Sequence, residues 1–174
     1  MPNYCVNELV IRAKDTTSIW AAIKKDGEDC PDFDKLLPYP ARFRELDEAA
    51  KAWEAASKAG HHPGPRPKDG FNSGGYEWRV KNWGTKWNTS NGVLICDPDP
   101  SDEDEGGSSR LVVRFETAWS PATKLAAMIA ERWPNADVSL QFWEHGMEFQ
   151  GTQIYRGGTL THDFQCPYFG HLGG

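Results

Sequence analysis

Leu111-Val112-Val113-Arg114-Phe115-Glu116 reads as a strand with one buried face. Leu111, Val113 and Phe115 alternate with Val112, Arg114 and Glu116, and a period of two marks a half-buried strand. Downstream, Ser120-Pro121 places an N-cap before a proline at the first helical position. Leu125, Met128, Ile129 and Trp133 then form the inward stripe of a helix that Pro134-Asn135 ends. Val138, Leu140 and Phe142 alternate with Ser139, Gln141 and Trp143, which gives a second strand. Glu144-His145-Gly146 makes a turn, Met147 to Tyr155 is a further strand, and Gly157-Gly158 closes it. Residues 159–174 show no regular period and are expected to form an irregular C-terminal tail.

Upstream, Cys5-Val6-Asn7-Glu8-Leu9-Val10-Ile11-Arg12 is short and rich in β-branched residues, as a central strand requires. Asp15 caps a helix with Ile19, Ala22 and Ile23 on one face, and Asp26-Gly27 stops it. The proline-bearing segment Asp32–Pro40 suits extended chain. A second helix is expected over about 43–58, with Leu46, Ala50, Trp53 and Ser57 on its stripe, and His61 to Gly75 reads as a loop. A short helix runs to about Lys81, and Gly84 is the hinge into another strand. That strand either reaches Ile95 with a kink or breaks at Asn91-Gly92 in a tight turn.

The elements thus follow the order β-α-β-β-α-β, plus an extra C-terminal strand. Right-handed crossovers make this an α+β, ferredoxin-like split βαβ fold, with two helices on one face of an antiparallel sheet. Residues 1–174 are expected to form a single domain, with 28–80 a helical and loop insertion between the first helix and the second strand.

Charge is unevenly placed. The chain of 174 residues has 25 acids and 19 bases, a net charge of -6. Six acids, Asp97, Asp99, Asp102, Glu103, Asp104 and Glu105, lie in one stretch without a base, and without them acids and bases balance. A surface for direct nucleic-acid binding needs surplus Lys and Arg, so that class is disfavoured. No apolar run approaches the roughly 20 residues of a membrane span. The N-terminus lacks the basic and apolar regions of a signal peptide. The four cysteines are widely spaced, as in reduced thiols, and a cytoplasmic location in a host cell is expected.

Several motifs resemble a known family. Met1-Pro2-Asn3-Tyr4-Cys5-Val6-Asn7-Glu8-Leu9, Phe33 to Pro40, Asn82-Trp83-Gly84-Thr85-Lys86-Trp87-Asn88, Phe115 to Pro121 and Glu144-x-Gly146-x-x-Phe149-x-Gly151 carry the likeness. Together they are similar to the ferredoxin-like-domain family of phage and plasmid proteins typified by YubB of conjugative plasmids and the Api-type phage proteins. The resemblance implies a ferredoxin-like fold and a mobile-element origin. It implies no particular chemistry.

The candidate sites divide into two groups. Trp83, Thr85, Lys86, Trp87 and Asn88 combine large rings with polar side chains. Trp83 and Trp87 read first as architecture, and Thr85, Lys86 and Asn88 are the members that can face a ligand. The acidic residues Asp97 to Glu105 read either as a solvated linker or as a decoy for a basic groove. His61-His62, His145, His162 and His171, with Cys166, lack the spacing of a metal site. No nucleophile motif or phosphate loop is present, and Cys5 reads as a buried apolar residue. Glu116 and Glu144 are the carboxylates that pairing of neighbouring strands would bring together, and Trp143 is the ring an exposed sheet face would offer to bases. No catalytic residue, metal or cofactor is assigned. The leading expectation is a non-enzymatic mobile-element protein that binds a host protein. Its target would be a nucleic-acid-handling defence effector, as for an anti-CRISPR or related inhibitor. The alternatives are a nucleic-acid or nucleotide-binding module and a small enzyme using carboxylates or histidines.

Overall fold

The computed structural model describes residues 3–61, 64–97 and 107–170. Among them, six strands form one sheet: β1 (Tyr4–Ala13), β2 (Ser90–Cys96), β3 (Ser109–Ala118), β4 (Asp137–Glu144), β5 (Phe149–Arg156) and β6 (Thr159–Pro167). Their spatial order is β2-β3-β1-β4-β5-β6, and every neighbouring pair is antiparallel. The first four strands in sequence give the ferredoxin-like order, with β1 at the centre of that unit.

The helices are α1 (Thr16–Ile23), α2 (Phe33–Leu36), α3 (Ala41–Lys58), α4 (Gly75–Trp83) and α5 (Thr123–Arg132). Asp15 caps α1 by accepting a hydrogen bond from the Ser18 amide at 2.9 Å. The alternation read from the sequence sets the core: Val113, Phe115, Leu140 and Phe142 lie on the helical face beside Ile19, Ile23, Leu125 and Ile129, all buried. The burial of such side chains is the main term favouring the fold, about 1.5–3 kcal/mol for each large apolar side chain.

The segment between α1 and β2 lies on that same face. α2 packs against α1 and α5, and α4 against α5. The opposite face exposes Arg12, Arg114 and Gln141. Residues 28–42 contain one more helical turn than expected, because Asp32 caps α2 by accepting from the Asp34 amide at 2.8 Å. The inward stripe of α3 is also rotated from the expected one. Phe43 and Ala50 are buried whereas Leu46 is exposed, because Phe43 packs on Tyr39 with ring centroids 5.6 Å apart.

The largest correction concerns the tail. Residues 159–167, expected to be irregular with the rest of 159–174, form β6 and pair with β5 from Arg156↔Thr159 to Phe149↔Pro167. Gly157 and Gly158, both at positive φ, make the two-residue turn. β6 lacks an apolar alternation because both its faces are exposed, so burial leaves no period in its sequence.

Candidate functional site

The Asn82–Asn88 motif follows from α4 and ends at β2. Gly84 takes φ +79° at the helix C-cap, where its amide donates to the carbonyls of Arg79 and Val80. A residue with a Cβ would be strained in this left-handed region. Trp83 is buried, stacks on Phe33 with centroids 5.6 Å apart, and donates its Nε1–H to the Leu37 carbonyl at 2.9 Å.

The polar members expected to face a ligand are mostly turned inward. Thr85 is buried and donates to the Ala118 carbonyl at 3.0 Å. Asn88 Oδ1 accepts from the amides of Phe33 (3.1 Å) and Thr89 (2.9 Å), while its Nδ2 donates to Asp32 at 2.6 Å. The requirement to satisfy buried backbone groups explains an asparagine here, which offers both donors and an acceptor. Lys86 differs. Its ammonium lies over the Trp87 ring at 4.6 Å and near Phe71 at 5.8 Å. Trp87 is half-buried. Lys86, Trp87 and Asn88 are all half-buried, but Asn88 is engaged by its three hydrogen bonds, whereas Lys86 and Trp87 make ring contacts with each other.

The motif locks onto a second one. Ser120 Oγ donates to the Gly84 carbonyl at 2.8 Å, and Lys124 Nζ reaches the Lys81 carbonyl. Asn7 completes the junction: Nδ2 donates to Thr117 Oγ1 at 2.9 Å, and Oδ1 accepts from the Ala122 amide at 2.8 Å. One buried asparagine thus ties β1 to β3 and to the start of α5.

Of the acidic residues, Asp97 is exposed just after β2, and Asp99, Asp102, Glu103, Asp104 and Glu105 lie outside the described residues. β2 is the edge strand beside them. It carries two register shifts against β3, and Val93 and Ile95 are 61% and 51% exposed. Its inner face is held close: a Cβ on Gly92 would lie 2.1 Å from the Asp29 carbonyl oxygen, so only glycine permits this approach.

The remaining candidates separate. Glu116 lies on β3 and Glu144 on β4, with β1 between them, so they do not form a carboxylate pair. Glu116 accepts from Asn91 at 2.6 Å, and Glu144 accepts from the amides of Gly146 and Met147. Trp143 is 6% exposed beneath the Arg114 guanidinium, 5.5 Å from the ring centre, so it offers no free face to a base. Burial, and then the nearby Glu144 charge, push the Cys5 thiol far above its usual range. Among the described residues no group of three His, Cys, Asp or Glu side chains is placed to hold a metal. His62 and His171 lie outside them. A cleft of about 650 Å³ between the start of α1 and the end of α5 is lined by Asp15, which is occupied in capping, and by Arg132, stacked on Trp133.

One surface residue of the Phe115 to Pro121 motif was not singled out as a candidate. Trp119 is 41% exposed and has φ +71°. A bulky residue in the left-handed region is strained, and such strain clusters at functional sites.

The strands and helices define a ferredoxin-like α+β protein. Residues 82–168, half of the chain, match the family described as the ferredoxin-like domain in Api92-like protein, and the chain belongs to that family. The crystal structure of protein api92 from Yersinia pseudotuberculosis is similar over 97% of this chain and 99% of that one, with a TM-score of 0.52 and 11% identity. At that identity the likeness is one of fold. A search of curated proteins finds no match. β1 lies outside the matched residues yet separates β3 from β4, so the N-terminal strand completes the sheet of the matched region. No helix among the described residues is long and apolar enough to cross a membrane.

Proposed function

We propose that the protein is a non-enzymatic inhibitor from a phage or other mobile element. It binds a host protein that handles nucleic acid, of the defence-effector class that anti-CRISPR proteins block. The contact surface is the β2 edge with the acidic residues that follow it. The observation carrying this reading is the juxtaposition of two exposed aliphatic side chains, Val93 and Ile95, with the start of the stretch that holds six acids and the whole net charge. Apolar contact supplies affinity at such a surface, and carboxylates steer it toward a basic groove.

The side chains that chemistry would need are engaged elsewhere. Glu144 receives backbone amides, Asn88 and Thr85 hold the fold together, and Cys5 sits in the core. This favours binding over catalysis. The test is affinity capture from nuclease-treated host lysate, comparing the wild type with a chain in which all six acids are changed to Asn or Gln. A host protein retained by the first and lost by the second supports the proposal. Retention of the same proteins by both contradicts it.

A further inference from the structure

We infer that β6 is a pairing edge, and that two copies of this chain join through it, antiparallel about a two-fold axis, into one continuous sheet. This is independent of the proposed host contact, which lies at the opposite edge. β6 is hydrogen-bonded to β5 on one side and, among the described residues, is the last strand of the sheet on the other. Eight of its nine residues are exposed. An edge strand presents a row of backbone donors and acceptors, and proteins usually guard it with lysines, prolines, bulges or a covering segment. β6 contains no Lys or Arg, and its one charged side chain, Asp163, accepts from Gln153 at 3.1 Å on the inner neighbour.

The guards that exist stand at its ends. A register shift between Ile154 and Tyr155 disturbs the start, and Pro167 closes the finish. The regular stretch between them is 162–166, and its middle residue is Phe164, 53% exposed. This stretch complements itself. Centred on Phe164, an antiparallel copy sets Phe164 against Phe164, His162 against Cys166 and Asp163 against Gln165. Aromatic pairs and carboxylate–amide pairs are both favourable across strands, and no like charges meet. A register centred on Asp163 would oppose two carboxylates. The net charge of -6 does not prevent this pairing. Asp97, the one described acid of the acidic stretch, follows β2 at the opposite edge, five strand spacings or about 24 Å away and well beyond the screening length of about 8 Å. Nothing in β6 has the charge needed to select a foreign strand, whereas its own copy matches it residue for residue.

Sedimentation velocity of the full chain over a micromolar concentration series tests this. The expected result is a concentration-dependent species of twice 19.5 kDa. Phe164→Lys should weaken it by about tenfold or more, through loss of the aromatic pair and opposition of two ammonium groups. Its circular dichroism should stay that of the wild type, because the side chain is exposed. In a Cys166→Ser background, Phe164→Cys should give a disulfide-linked dimer on mild oxidation. A wild type that stays monomeric throughout, a dimer that survives Phe164→Lys, or a Phe164→Cys chain that does not cross-link would each overturn the proposal. Capture of a foreign peptide by a monomeric wild type would do the same.

Discussion

The two edges of the sheet end it in opposite ways. β2 is irregular, with two register shifts, and its inner face is fastened to the rest of the molecule. Trp83, Thr85, Asn88 and Thr89 tie the chain that leads into it to α2, to the end of β3 and to the Pro31 segment. It then runs into six carboxylates. β6 pairs with one strand, β5, apart from a slight contact with α5, and carries one charge. A bent, acidic edge resists pairing with its own copy, since like charges repel, and remains open to a basic partner. An edge with one charge and a regular stretch over 162–166 has the reverse preference. The proposed host contact and the proposed self-pairing accordingly fall on opposite edges of the sheet.

The difference in anchoring carries the largest expected effects. Trp83→Ala removes a buried ring and its hydrogen bond to Leu37, and should cost about 3–5 kcal/mol in urea unfolding. A cost under about 1 kcal/mol would break the claim that this motif anchors the β2 side. Asn88→Ala leaves the amides of Phe33 and Thr89 without their acceptor and should cost about 1–3 kcal/mol, measured the same way. Trp119→Gly should raise stability by about 1 kcal/mol, because glycine accepts φ +71° without strain, partly offset by its greater freedom in the unfolded chain. If instead it lowers the melting temperature, the exposed indole is making packing contacts. On the weakly anchored side, Phe164→Lys should change monomer stability by no more than about 0.5 kcal/mol. A larger loss would show that β6 is packed more firmly than its exposure indicates.

Much of this architecture was legible because burial leaves a period. Leu111, Val113 and Phe115, and Val138, Leu140 and Phe142, gave both strands and their inward faces, and Asp15 and Gly84 marked helix ends that the structure keeps. β6 was not legible in the same way. With both faces in solvent, Thr161, His162 and Asp163 record no inside or outside, and Gly157-Gly158 was the available sign of a hairpin. Leu46 misled for a related reason: an exposed leucine sets a false stripe when a neighbouring Phe43 takes the inward position. At the candidate site, the tryptophans and the acidic stretch drew notice by composition alone. The burial of Thr85 and two of the three hydrogen bonds of Asn88 depend on segments more than 30 residues away, Ala118 and Asp32–Phe33, which local sequence does not reveal.

The role assigned to the β2 edge rests on charge, and the rate of association reads charge most directly. With the host protein recovered by capture, association should be measured at low and high salt. The wild type should be compared with a chain whose six acids from Asp97 to Glu105 are changed to Asn or Gln. The expected result is that wild-type association slows as salt rises, and that the neutralised chain associates more slowly with little dependence on salt, since exposed charges steer encounter and are screened. Dissociation and melting temperature should change much less. Equal association rates for the two chains at both salt concentrations would contradict the assignment, and would leave the six carboxylates as a solvated connection between β2 and β3.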